Sequence, residues 1–244
     1  MTLQLVFLAL LAVHVGYSLT TNADACALKD KRKRRIHVLT QGPVLWLAIY
    51  FGAIQGVFSR ELVSPLHIAA GLVIGHVIFA LSLLITHRSL EDVGSHVFEF
   101  GAIWDFAMRS PAVLSRFLGG AVAEELIYRA AAQPIAIGLF ALALGEGAAA
   151  AAGIAAVAAA FVVIHRDFFR NTAWQGVEFV AFAILLGVLY YGTGSFILVT
   201  VIHAIRNIEI AYLEYLAKVE ELGDEERAAE ETEKACRRIP SEQT

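Results

Sequence analysis

Cysteine and charge are both scarce in this chain of 244 residues. Its two cysteines, Cys26 and Cys236, lie near opposite ends of the sequence, which excludes a disulfide framework and a metal site built from cysteines. Charged residues make up 17% of the sequence, whereas soluble domains have about 25%. Hydrophobic residues make up 58%, and the mean hydropathy is +0.64. This balance predicts an integral membrane protein.

The net charge is small and unevenly distributed. It is −4 for the whole chain, while the segment from Val219 onward holds nine acidic and four basic residues, a net of −5. The rest of the chain is therefore close to neutral, which argues against a nucleic-acid partner. We interpret residues 215–244 as a charged, solvated cytoplasmic tail.

Long apolar runs predict an all-α fold, a polytopic transmembrane helical bundle. A bilayer core about 30 Å thick requires about 20 mostly apolar residues per helix. Residues 87–111 mix aromatic and charged side chains, which indicates an interfacial helix and a loop. We expect N-terminal spans and this interfacial segment in 1–111, a helical core in 112–214, and the tail in 215–244. About seven spans are predicted, at residues 3–21, 43–60, 66–86, 112–140, 148–165, 174–192 and 195–214.

Basic residues predict the orientation of these spans, because they accumulate on the cytoplasmic side. The run KDKRKRR at 29–35 follows the first span and marks that side. The N-terminus is then outside and the C-terminus is cytoplasmic, and in a prokaryote the membrane is the cell membrane. Seven spans place on the same cytoplasmic side the tail and Arg88, Arg109, Arg116, Arg166 and Arg170.

The first segment has an alternative interpretation as a cleaved signal peptide. The sequence ADAC at 23–26 ends the segment in a weak Ala-x-Ala pattern. The segment lacks a basic start, however, and its removal would reverse every later loop against the charge rule. We therefore expect the span to be retained.

The sequence AVAEELIYRAAA at 121–132 places three ionisable groups inside the fourth span. A charge at the bilayer centre costs about 2.5–3.5 kcal/mol on insertion scales, so such groups have partners or a function. Glu125 and Arg129 are four residues apart, share a helix face and can form an ion pair. Glu124 is rotated by about 100° from Glu125, and we expect it to face a cavity. The alternative is a purely structural triad that fixes helix packing.

Two further pairs carry side chains at a spacing of four residues, which places each pair on one helix face. Phe161 and His165 end the fifth span, and His203 and Asn207 lie within the seventh. Other histidines within the spans are interpreted as packed or interhelical hydrogen-bonding residues, namely His14, His67 and His76.

Helix geometry predicts that Glu124, His165 and His203 reach similar depths. Glu124 lies about 18 Å from the cytoplasmic start of the fourth span, at 1.5 Å per residue. His203 is about as far from the cytoplasmic end of the seventh span, and His165 is near that end of the fifth. The three side chains can meet in the cytoplasmic half of the membrane, most easily if the fifth helix continues through RDFF at 166–169.

These residue types support hydrolysis of an acyl bond. A carboxylate and an imidazole that converge on a water form a general base, and an imidazole beside a carboxamide supplies donors to an oxyanion. A zinc ion held by Glu124, His165 and His203 is the mechanistic alternative. Intramembrane Glu and His also suit a proton-coupled transporter. The chain contains no HExxH, GxSxG or P-loop motif.

At these residues the sequence resembles the CPBP family of CAAX proteases and bacteriocin-processing enzymes, also called the Abi family. Its motifs are EExxxR, FxxxH and HxxxN/D, in that order on separate transmembrane helices. Here the first spans Glu124 to Arg129, the second Phe161 to His165, and the third His203 to Asn207. The residue after the arginine is commonly Gly in the family and is Ala130 here, a change that concerns helix packing.

The resemblance implies an intramembrane glutamic-type protease with a cavity open toward the cytoplasm. Glu124 would be the general base, assisted by His165, and His203 with Asn207 would bind the oxyanion. Glu125, Arg129 and Phe161 would support the site. It implies no metal and no other cofactor, and a peptide or protein substrate at the bilayer, with or without a lipid group. Some relatives are described as immunity factors, so a non-proteolytic scaffold on the same fold is the alternative function.

Overall fold

The computed structural model describes residues 2–21, 31–59, 64–85, 93–94, 98–165 and 172–237. Within these ranges the chain is helical and has no strand. Several residues and segments discussed above lie outside the described residues, namely ADAC, RDFF, Cys26, Arg88, Arg166 and Arg170.

Helices follow one another along the whole described chain, which confirms the predicted all-α fold. Six of them, α1, α2, α3, α7, α8 and α9 below, are long and apolar enough to cross a membrane. The chain is therefore an integral membrane protein. The helices are α1 (Thr2–Thr21), α2 (Lys31–Ile54), α3 (Pro65–Ile85), α4 (Phe100–Arg109), α5 (Pro111–Glu125), α6 (Gln133–Phe140), α7 (Glu146–Ile164), α8 (Ala173–Thr193), α9 (Phe196–Leu222) and α10 (Glu225–Arg237).

The fourth predicted span differs from a single α-helix. A π-helical segment, Leu126–Ala132, joins α5 to α6. The three pieces form one helical stretch over residues 111–140 whose pitch changes in the middle. This change of pitch lies directly after Glu124 and Glu125.

Two other predicted spans had wrong bounds. Helix α2 begins at Lys31, so its basic residues occupy the first turns, and it ends at Ile54 rather than at residue 60. The chain then turns at Gly56, whose φ of +71° is a left-handed conformation that suits glycine. Helix α9 runs to Leu222, eight residues beyond the predicted end at 214, because its polar last turns extend past the apolar run.

Helix α9 is the most enclosed of the six candidate spans. It packs on α3 at two glycines of α3, Gly71 and Gly75, which are four residues apart. A Cβ atom added at Gly71 would lie 2.8 Å from Cβ of Val201, and one at Gly75 would lie 3.1 Å from Cβ of Ile205. The backbones approach as closely as small residues permit in membrane helix pairs. This contact fixes the helix that carries His203.

Helix α4 lies within the segment predicted to be interfacial. It buries Ile103 and Phe106 against the rest of the protein. Its other face leaves Trp104 and Met108 more than half exposed. Apolar side chains on an exposed face beside charged ones are typical of a helix at the membrane surface. The rest of the segment, residues 87–92 and 95–97, lies outside the described residues.

The charged tail contains a helix, which its charge pattern did not predict, and its residues 238–244 lie outside the described residues. Helix α10 packs on α5 and α9, with Ala228 and Thr232 almost fully buried. The carboxylate of Glu233 accepts a hydrogen bond of 3.2 Å from the backbone N–H of Ala112, in the first turn of α5. Small residues four positions apart give the helix an inward face, while its charged residues occupy the outward face.

Candidate active site

Four helical elements bring the three motifs together. Helix α5 ends with Glu124 and Glu125, and the π segment that follows carries Arg129. Helix α7 carries Phe161 near its end, and α9 carries the third motif. Residues distant in sequence thus meet at one end of α7, beside the middle of α9.

Glu124 lies between the two histidines that were predicted to meet it. Its Oε2 atom is 3.5 Å from Nε2 of His165 and 3.6 Å from Nε2 of His203. The side chains of Glu124 and His165 are 28% and 31% exposed. Glu124 and His165 are therefore partly open to their surroundings, where a substrate or a water can reach them.

Glu125 is fully buried and has two charged or polar neighbours. Its Oε2 atom is 3.3 Å from Nε of Arg129, which is the ion pair expected from the spacing. Its Oε1 atom is 2.8 Å from Nδ1 of His203. Arg129 also donates a 3.1 Å hydrogen bond to the carbonyl of Ala183 in α8. The pair is therefore tied to both neighbouring helices.

His203 connects the two glutamates. Its Nδ1 contacts Glu125 and its Nε2 faces Glu124. Rotation along α5 separates the two carboxylates by about 100°, but an imidazole carries nitrogens on two sides of its ring. One ring of α9 can therefore contact both, which the helical spacing alone did not indicate.

Phe161 is the packing centre of the site and is fully buried. Its ring centroid lies 4.5 Å from that of His165 and 5.8 Å from that of His203. The guanidinium of Arg129 lies 5.3 Å from the same ring, a cation–π distance. Phe161 therefore contacts one residue of each motif.

His165 lies just beyond the end of α7. The helix ends at Ile164, and His165 has an extended backbone with φ −82° and ψ 104°. Its Nδ1 atom bonds the carbonyl of Phe161 at 2.7 Å, which directs Nε2 toward Glu124. His165 reaches Glu124 from this extended position. The segment RDFF, through which a continued helix would have favoured the contact, lies outside the described residues.

Asn207 lies one helical turn after His203 on α9. It is half-buried, and its side chain makes no hydrogen bond to another of the residues that the structure describes. Its carboxamide is therefore the polar group of the third motif that remains available to a ligand.

The π segment has a physical cause in Pro134. Proline has no N–H, so the carbonyl of Ala130 loses the donor that an α-helix would supply. The side chain of Gln55, at the end of α2, donates a 3.0 Å hydrogen bond to that carbonyl. The N–H of Gln133 bonds Tyr128, five residues back. Such π segments often occur at functional sites, and this one carries Arg129.

A second buried ion pair, between Glu178 and Arg206, was missed in the sequence. Nη2 of Arg206 lies 2.7 and 2.8 Å from the two carboxylate oxygens of Glu178. A signal was available, because each is a charge inside an apolar span and such charges pair. Glu209 was missed in the same way.

The histidines that were interpreted as interhelical hydrogen-bonding residues make such contacts. His14 bonds Thr40 at 3.1 Å, and His67 bonds Ser195 at 3.0 Å. His76 contacts Glu209, the buried carboxylate named above. Each of these three contacts links separate parts of the bundle, and none of them involves a motif residue.

Glu124, His165 and His203 are the residue types of a catalytic zinc site. Over the described ranges, no group of three or more His, Cys, Asp or Glu side chains is arranged to hold a metal ion.

Comparison with protein families agrees with the motif analysis. Residues 106–208 match the family model described as type II CAAX prenyl endopeptidase Rce1-like. The matched segment contains all three motifs, which confirms the family resemblance. That family implies an intramembrane protease of the CAAX type. No curated protein and no solved structure matches the chain.

Proposed function

We propose that the protein is an intramembrane endopeptidase that hydrolyses a peptide bond near the cytoplasmic membrane face. The convergence of Glu124, His165 and His203 within 3.6 Å, at a position open to its surroundings, carries this proposal. The substrate is a peptide or protein at the membrane, either a C-terminal CAAX-type sequence or another processed peptide.

Glu124 acts as the general base in this proposal. Its carboxylate, with His165, takes a proton from a water whose oxygen attacks the scissile carbonyl carbon. The carbonyl electron pair moves to oxygen, and the oxyanion accepts hydrogen bonds from His203 and Asn207. The C–N bond then breaks, and the proton held by Glu124 passes to the leaving amine.

The contacts of His203 specify how it serves as a donor. Its Nδ1 faces the carboxylate of Glu125 at 2.8 Å, so Nδ1 carries a hydrogen. For Nε2 to donate to an oxyanion as well, the ring must hold hydrogens on both nitrogens.

The test of this function compares membranes that contain the wild-type protein with membranes that contain Glu124→Ala. Quantitative analysis of peptide termini should find cleavage products that disappear in the variant, and these would name the substrate. An unchanged set of termini, together with full biological function of Glu124→Ala, would instead favour the non-proteolytic scaffold.

Access to Glu124 can be tested at two neighbouring glycines of α5. Gly120 lies four residues before Glu124, about 40° away around the helix, whereas Gly119 lies about 140° away. A Cβ atom at either position would have no neighbour within 4 Å, so both accept a side chain. We expect Gly120→Leu to lower kcat/KM by about tenfold or more through misplaced substrate. Gly119→Leu is the matched control and should keep wild-type activity.

The measurement for this pair is cleavage by purified protein in lipid, with thermal unfolding as a check on folding. Both substitutions replace glycine in a helix and should not lower stability. Equal activities of the two variants would show that substrate does not approach over the Gly120 face.

We also propose that the N-terminus is outside and the C-terminus cytoplasmic. The basic first turns of α2, from Lys31 to Arg35, support this orientation. A single cysteine introduced at the exposed Arg109, in a chain that lacks Cys26 and Cys236, should react with a membrane-impermeant maleimide only after the cells are opened. A cysteine at Gly145 should react in intact cells. The reverse pattern would contradict the orientation.

A further inference from the structure

The Glu178–Arg206 ion pair lies directly behind the catalytic imidazoles and takes no part in the proposed chemistry. Its two side chains are 9% and 8% exposed. Nε of Arg206 adds a third contact to Glu178, at 3.2 Å. Ser82 of α3 donates a hydrogen bond to the same carboxylate. The guanidinium is thus held in one orientation by groups on two other helices.

The fixed guanidinium supports two aromatic rings of α8. The Cζ atom of Arg206 lies 4.5 Å from the ring centroid of Phe182 and 5.8 Å from that of Phe179. Both are cation–π distances. A guanidinium paired with a carboxylate through more than one nitrogen is a rigid, planar group. The two rings therefore lie beside the same fixed guanidinium.

The same two rings contact the imidazoles of the site. Phe179 meets His165 edge to face, with centroids 5.0 Å apart at 70°. Phe182 meets His203 in the same way, at 5.7 Å and 76°. Edge-to-face contacts constrain ring orientation. This matters most for His165, which lies beyond the end of its helix.

We propose that Glu178 and Arg206 are positioning residues, which hold the imidazoles of His165 and His203 toward Glu124 through Phe179 and Phe182. The effect on turnover rests on the proposed function, whereas the effect on the imidazoles does not. Neither residue touches the reacting atoms, so their removal should change kcat rather than KM.

The other buried polar pair of α9 provides a matched control. Glu209 lies one turn beyond Arg206 and contacts His76 of α3. The ring of His76 in turn packs against Phe79 and Phe100. If activity simply required buried polar pairs in α9, loss of either pair would lower kcat equally. The positioning role predicts that only loss of the Glu178–Arg206 pair lowers kcat.

The test replaces each pair with apolar residues. Glu178→Leu with Arg206→Met keeps the volume, and such replacements of buried ion pairs often preserve folding. We expect near wild-type thermal unfolding, a kcat lower by about tenfold, and an unchanged KM, because small misplacements of catalytic groups are costly. Arg206→Lys keeps the charge without the planar stack and should show a smaller loss. His76→Leu with Glu209→Met should leave kcat unchanged.

A second readout needs no substrate. Diethyl pyrocarbonate modifies accessible imidazoles, and mass spectrometry measures the modification of His165 directly. Its rate should more than double in the Glu178→Leu/Arg206→Met variant and stay constant in the His76→Leu/Glu209→Met variant. Unchanged His165 reactivity in folded Glu178→Leu/Arg206→Met or Arg206→Lys protein would overturn the proposal, as would equal changes in both double variants. Altered reactivity in a protein whose cleavage does not need Glu124 would retain the positioning role and reject the proposed function.

Discussion

Glu124→Gln is expected to lower kcat/KM for peptide cleavage by about 10²–10⁴-fold, the usual contribution of a general base. The amide has nearly the same shape as the carboxylate but cannot take a proton from water. Because the Glu124 side chain is 28% exposed and its Oε2 atom lies 3.5 and 3.6 Å from the two histidine nitrogens, the substitution should disturb folding little. Cleavage by purified protein in lipid, normalised to folded protein, measures the effect.

The control for this variant is Glu146→Gln, an exposed glutamate at the start of α7. It removes the same charge from the same protein, away from the motif residues, and should keep wild-type activity. Full activity of Glu124→Gln would reject Glu124 as the base. Loss of folded protein in that variant would show that Glu124 stabilises the bundle.

The sequence could predict that the three motifs meet, because this depends on how deep each residue lies in the membrane and on which helix face it occupies. Glu124 and His203 lie in long apolar helices, where 1.5 Å per residue sets their depth. The contact of His203 with both glutamates could not be predicted in this way. It depends on the rotation of α9 relative to α5, which is not visible in either motif. The packing of α9 on Gly71 and Gly75 of α3 is one of the contacts that hold α9 in place.

The π segment illustrates a different limit. Pro134 indicates that the helix is disturbed, because it leaves the carbonyl of Ala130 without a donor. The group that satisfies this carbonyl, the side chain of Gln55, lies directly after α2 and 75 residues away in sequence. A local pattern can predict the disturbance but not the partner that stabilises it.

The tail shows what composition alone leaves out. Its acidic residues predicted a solvated extension, and within it Ala228 and Thr232 form an inward face that packs on neighbouring helices. Two small residues among many charges give a weak apolar pattern. The packing depends on the shape of α5 and α9, into which small side chains fit.

Arg129→Met is expected to destabilise the protein by about 3–5 kcal/mol, the cost of removing one partner of a buried ion pair. Glu125 would remain fully buried with its charge opposed only by His203. The carbonyl of Ala183 would lose its hydrogen bond from Arg129, and Phe161 would lose a cation–π contact. Folded yield and thermal unfolding in lipid measure the loss.

Two variants separate the buried charge from the volume of the side chain. Glu125→Gln with Arg129→Met removes both charges and should recover much of the lost stability, since no charge is left unpaired. Arg109→Met breaks an exposed pair with Asp105 and should change stability by no more than about 0.5 kcal/mol. If Arg129→Met protein folded normally and lost only activity, the buried pair would serve the chemistry directly. The roles of Glu124 and Glu125 would then be reversed, because the glutamate tied to Arg129 would be the base.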